Sequence, residues 1–150
     1  MGEISATQSI EIAATPDDVI AALADYTTVR PAILPAQYRD YQVISGGIGD
    51  GTLVHWILQA TAKRQRDVRA RVSVASAAGV TTITERDENS SLVTTYAVSA
   101  ASAGASVTTI TAWNSNASGI GAFFEKTFAP KGLNRIQAEV LGNLKSRLEK

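Results

Sequence analysis

Between Tyr38 and Trp113 the chain runs in short β-rich stretches of alternating pattern, and from Leu133 to Leu148 the apolar residues change to three- and four-residue steps. The first period belongs to strands with one face covered, the second to a helix with one apolar stripe. A chain patterned in this way must build a sheet and then lay a long helix against it. Six strands are predicted in the first region, at Tyr38–Ser45, Leu53–Ala60, Asp67–Ala75, Thr81–Arg86, Leu92–Ala100 and Ser106–Trp113. The breaks between them, "SGGIGDGT", the stretch around Ala62-Lys63, "SAAG", "DENSS" and the small residues near Ser102, are turn chemistry. Their even spacing indicates an antiparallel meander.

A further strand precedes the meander. Ile4, Ala6, Ile10 and Ile12 share one parity against Ser5, Thr7, Ser9 and Glu11. In "TPDDV", Thr15 can cap a helix, Pro16 suits its first position, and Asp17 and Asp18 match the positive end of its dipole. That helix should run to about Tyr26, with a turn or brief second helix between it and Pro35. At the other end Leu133, Ile136, Val140, Leu144 and Leu148 form the helical stripe, and Pro130 either kinks this helix or marks a restart. The expected fold is α+β: a curved seven-stranded antiparallel sheet wrapped around a long C-terminal helix, with one or two short helices after the first strand. This is the helix-grip architecture.

With 150 residues and 45% of them hydrophobic, residues 1–150 suit one domain with a real core. Fourteen basic residues balance fourteen acidic ones, so no global field draws nucleic acid. The chain has no cysteine and one histidine, His55, which excludes thiolate chemistry and a histidine metal cluster. No stretch approaches the roughly 20 apolar residues that span a bilayer, and the N-terminus has no leader pattern. The expectation is a cytoplasmic protein, monomer or homodimer, with no cofactor, no metal and no stable membrane insertion.

The element order, together with "ATPDDVIAALADY", "GGIGDGT", "SSLVTTY" and "FFEKTFAPKGLNRIQAEVLGNLK", resembles the START-related superfamily of polyketide cyclases, lipid-transfer domains and pollen-allergen-like proteins. The resemblance covers nearly the whole chain. It implies a cavity between sheet and final helix that receives a hydrophobic small molecule; chemistry varies widely among relatives, and fold analogy does not choose among them.

Strand parity names the walls. Val54, Trp56, Leu58 and Ala60 share the inner face of the third strand, with His55 and Gln59 outside. Val68, Ala70, Val72 and Val74 point inward on the fourth, and Arg66 has their parity at the strand's end. Leu92, Tyr96 and Val98 follow on the sixth, and Val107 and Trp113 on the seventh, where Ile110 has the opposite parity. Small inward residues, among them Ala60, Ala70, Thr94, Thr109 and Thr111, leave side-chain volume short and predict a sizeable space. Phe123, Phe124 and Phe128 crowd ahead of Pro130, where they form either a movable wall or ordinary core plugs. The candidate ligand-binding residues are Trp56, Arg66, Val72, Tyr96, Trp113, Phe124 and Phe128. Arg66 is either a surface arginine or a partner for a ligand carboxylate.

Other motifs read as structure. "GGIGDGT" lacks the Lys-Ser/Thr of a phosphate loop and joins two strands. Glu85, Asp87 and Glu88 read as a solvated turn, and Arg69 and Arg71 as a solvated strand face. No residue is assigned a catalytic role. The sequence therefore predicts binding, with possible transport, of a lipid, isoprenoid or aromatic polyketide. The alternatives are a polyketide cyclase or dehydratase using the same cavity through Tyr96 or Arg66, and a protein-interaction module.

Overall fold

The computed structural model describes residues 3–59, 65–114 and 130–149. The elements are β1 Glu3–Ile12, α1 Pro16–Ala24, α2 Val29–Ile33, β2 Tyr38–Ser45, β3 Leu53–Gln59, β4 Gln65–Ala77, β5 Val80–Asp87, β6 Val93–Ala101, β7 Gly104–Asn114 and α3 Pro130–Leu148. The strands form one antiparallel sheet in the order β1-β7-β6-β5-β4-β3-β2. The meander is therefore completed by β1, which lies beside β7 with Ala6 opposite Thr111 and Ile12 opposite Ala105.

Local chemistry sets the helices. The Thr15 hydroxyl accepts from the Asp18 N–H at 3.1 Å, and Pro16 occupies the first turn. Helix α1 stops two residues short of the expected Tyr26 because Asp25 is extended and its Oδ1 accepts from the N–H groups of Thr27 and Thr28, at 3.1 and 2.9 Å. That Asx turn redirects the chain into α2. The glycine-rich turn then docks on the end of α1: Gly47 C=O accepts from Tyr26 N–H at 2.8 Å, and Gly49 N–H donates to Ala24 C=O at 2.9 Å. Gly47 has φ +133°, and a Cβ there would lie 2.6 Å from the Thr27 hydroxyl, so both backbone and space require glycine.

The sheet bends where β2 and β3 lose register between Arg39 and Gln42, beside Asp40 at φ 54°. Inside the bend the parity expectations hold: Val54, Trp56, Leu58, Val68, Ala70 and Val72 are buried, and Ile110 faces outward at 40% exposure. Helix α3 covers this inner face with Leu133, Ile136, Val140 and Leu144 buried. It runs along β1, where Gln137 Nε2 donates to Ala6 C=O at 3.1 Å and Lys145 Nζ to Glu11 C=O at 3.0 Å. Asn143 Nδ2 ties it to Ile33 C=O of α2 at 2.9 Å. On the outer face Arg69 and Arg71 flank Glu88, and His55 pairs with Asp67 at 2.9 Å.

The acidic cluster departs from expectation. Glu85 and Asp87 are buried, because both share the inward parity of Ile83. Asp87 organises the β5–β6 turn: its Oδ1 accepts from Arg69 N–H and Asn89 N–H, and its Oδ2 from the Ser90 hydroxyl at 2.7 Å. Of the three acids, only Glu88 is solvated.

Candidate functional site

The inner face carries an ion pair that sequence parity had not exposed. Arg30, one helical turn beyond Tyr26, reaches under the sheet and meets Glu85 of β5, with Nη2 to Oε2 at 2.8 Å. The two residues are only 2% and 5% exposed. Tyr26 hydroxyl donates to the same Oε2 at 2.6 Å and accepts from Arg30 Nη2 at 3.0 Å. Arg30 Nε donates to Leu23 C=O at 2.8 Å, and the guanidinium lies between the rings of Tyr26 and Tyr96, 4.5 and 4.6 Å from their centroids. Tyr41 hydroxyl closes the cluster by donating to Tyr26 C=O at 2.5 Å.

Electrostatics hold this cluster in one protonation state. Burial works against the Arg30 charge, but Glu85 and the tyrosine oxygens outweigh it and raise its pKa further. Burial pushes the Tyr96 phenol up to about 12, with the Arg30 charge opposing and Glu85 adding. Burial likewise raises Tyr26 and Tyr38 well above the ordinary tyrosine range, and Tyr41 above its usual value. Near neutral pH all four are neutral phenols.

Glu85 is also where the cluster meets a cavity between the sheet and the first half of α3. Its apolar walls are Leu58 and Trp56 from β3, Leu92 ahead of β6, and Leu133 and Ile136 from α3. Tyr38, Glu85, Thr94, Thr111 and Gln137 supply the polar lining. The cavity leaves about 30 Å³ for the centres of water-sized molecules, within about 410 Å³ of atom-free space that includes its opening to solvent. That space of about 30 Å³ is far below the roughly 300–1,000 Å³ of a pocket that encloses a drug-sized ligand. The space is much narrower than the count of small inward residues suggested. Arg30, Tyr26, Tyr96 and Trp113, all buried, occupy the interior that those small residues leave.

Two of the polar wall residues are tied together: Thr94 and Thr111 hydroxyls lie 3.1 Å apart, and Gln137 Nε2 donates to Thr111 at 2.9 Å. Because the Gln137 amide nitrogen faces two acceptors, Ala6 C=O and Thr111, its oxygen is the atom left over, and Gln137 Oε1 has no partner among the described residues. Trp56 Nε1 likewise has none. Trp56 and Gln137 are each 6% exposed. The Trp56 ring is held by Tyr38 edge-on at 5.5 Å and by Tyr41 stacked at 6.2 Å.

Of the residues singled out from sequence, Trp56 stands in the wall of this cavity. Val72, Tyr96 and Trp113 are buried in the core beside it and are not among its walls. Arg66 is half-buried at the rim of the sheet, where its Nη2 lies 3.4 Å from Asn89 C=O, and it is not among the walls either. Phe124 and Phe128 lie outside the described residues. The sequence reading missed Tyr26, Arg30, Glu85 and Gln137 as inner-face polar groups. Two signals pointed to them: Glu85 shares parity with Ile83, and Arg30 precedes Ile33 by one helical step.

A helix resting on the concave side of a seven-stranded antiparallel sheet, with a lined cavity between them, invites comparison with proteins of known fold. The family model described as polyketide cyclase / dehydrase and lipid transport matches residues 3–149. The chain belongs to that family. The KanY protein, solved by NMR, is 51% identical over the full length of both chains with a TM-score of 0.88. A norcoclaurine synthase point mutant from Thalictrum, solved with a transition-state analogue, has a TM-score of 0.68 at 12% identity, covering 98% of this chain and 94% of that one. TTHA0849 from Thermus thermophilus has a TM-score of 0.69 at 14% identity, covering 98% and 97%. The last two likenesses concern the fold alone. No curated protein matches the chain. The family supports a ligand-binding cavity, and among the described residues no helix is long and apolar enough to cross a membrane.

Proposed function

We propose that the protein binds a hydrophobic or amphipathic small molecule, of the lipid, isoprenoid or aromatic polyketide kind, between its sheet and α3, and carries it as a cytoplasmic monomer or homodimer. The observation that supports this reading is a cavity walled by Leu58, Leu92, Leu133 and Ile136 between the sheet and α3, where the family resemblance implies one. A space of about 30 Å³ is too little for such a molecule. Binding therefore involves separation of the walls, with α3 moving relative to β3 and β6. Binding is favoured over catalysis by the state of the single carboxylate in the wall: Glu85 Oε2 already accepts from Arg30 and Tyr26, which makes it a fixed acceptor and a poor general base.

The test is uptake of the neutral dye Nile red, combined with native mass spectrometry of protein from its own host. Saturable one-to-one uptake that Leu133→Trp abolishes, with a retained apolar compound in the wild type, is the expected result. No saturable uptake and no retained compound would remove the reading, whatever the stability of the variant.

A further inference from the structure

The polar atoms of the cavity assign the head group of the ligand, an inference that rests on the binding function proposed above. We infer that the cavity selects an uncharged molecule carrying a hydroxyl or phenol on an apolar body, and discriminates against both carboxylates and ammonium ions. Three observations carry this.

First, two wall residues each bury a polar atom without a partner among the described residues, and the atoms are of opposite kinds: Trp56 Nε1 can only donate and Gln137 Oε1 can only accept. A buried polar atom without a partner is costly, so a ligand that reaches these atoms gains by satisfying both. A single ligand group that meets both must itself donate and accept. A hydroxyl qualifies. A carboxylate cannot donate, and an ammonium cannot accept.

Second, the fixed charge beside the cavity already sums to zero. Glu85 and Arg30 neutralise each other at 2.8 Å. An ionic head of either sign would therefore enter a desolvated space with no opposite charge left to meet it. Third, the pair is oriented. Glu85 is in the wall and Arg30 is not, since the guanidinium is held behind it between two tyrosine rings with its Nε bonded to Leu23 C=O. The cavity meets the acceptor end of the pair, which suits an O–H donor; a carboxylate meets repulsion there, and an ammonium, though drawn to that oxygen, finds its charge already met by Arg30 at 2.8 Å. Arg66, read from sequence as either a surface arginine or a carboxylate partner, is not in the wall, and its Nη2 lies 3.4 Å from Asn89 C=O.

The experiment compares n-decanol, decanoate and decylammonium at pH 7, each below its aggregation limit, by tryptophan emission and calorimetry on the intact protein. Decanol should bind at least about 30-fold more tightly than either ion. Gln137→Met should weaken decanol about five- to tenfold and leave decanoate unchanged. If either ion binds as tightly as decanol, the head-group assignment falls while the cavity stands as a binding site. If none of the three binds, both fall. Should Gln137→Met fail to fold, the comparison on the wild-type protein decides alone. Decanol affinity unaltered in a folded Gln137→Met would also overturn the assignment.

Discussion

Two sets of polar side chains lie under the same sheet at nearly the same depth. Arg30, Glu85 and Tyr26 satisfy one another through three contacts of 3.0 Å or less, with Tyr96 stacked on the guanidinium. Trp56 and Gln137, in the cavity wall, each keep one polar atom without a partner among the described residues. Burial alone does not separate them; satisfaction does. A closed network holds elements in place, here α2 to β5. An open donor and acceptor in an apolar wall are a liability for the empty fold, and that liability is removed when something is bound. On the proposed binding function, the closed set holds structure and the open pair selects the ligand, with Glu85 the residue that the two share.

The largest effect should come from opening the closed set. Arg30→Met leaves the Glu85 carboxylate buried without its counter-charge, and the expected loss of stability is about 3–5 kcal/mol in urea unfolding. The double variant Arg30→Met/Glu85→Leu should recover much of this, because neither charge of the pair remains. A single substitution costing less than about 1 kcal/mol would show that the pair does not hold α2 to the sheet.

Alkali attacks the same set more gently. Tyr96 ionises near pH 10 in the unfolded chain and at about 12 when folded, so the folded state holds its proton more firmly. Its contribution is complete below pH 10 and is lost as pH rises towards 12, an effect of about 2–3 kcal/mol. Urea midpoints measured from pH 9 to 12 should fall, and Tyr96→Phe should flatten the fall. An unchanged slope in that variant would assign the alkaline transition to another group, Tyr26 being the first to examine.

The contrast between the two sets also explains what could be read from the sequence. The period-two strands, the Thr15 cap and the α3 stripe were legible because each is a local pattern imposed by one covered face. Trp56 followed from parity for the same reason. Arg30 and Glu85 are 55 positions apart in the chain, and nothing local says that two charges will meet under a sheet. Polarity pulled the reading of Glu85 toward solvent, although its parity with Ile83 pointed the other way. The narrowness of the cavity was hidden for a related reason. Counting small inward residues on the strands omitted Tyr26 and Arg30, which enter the same volume from α1 and α2.

The smallest effect on stability, and the sharpest on the comparison, belongs to Trp56→Phe. The indole packs edge-on to Tyr38 and face-to-face with Tyr41, and a phenyl ring keeps part of that contact while leaving some volume unfilled. Against this loss, the substitution deletes a buried donor that has no acceptor among the described residues, which is favourable by about 1–3 kcal/mol. The two terms oppose, so unfolding should shift by no more than about 1 kcal/mol in either direction. Decanol binding should nevertheless weaken severalfold, because the wall has lost the hydrogen bond to its oxygen. A variant that loses about 3 kcal/mol while binding decanol as before would place Trp56 with Arg30, among the groups that only hold the fold together.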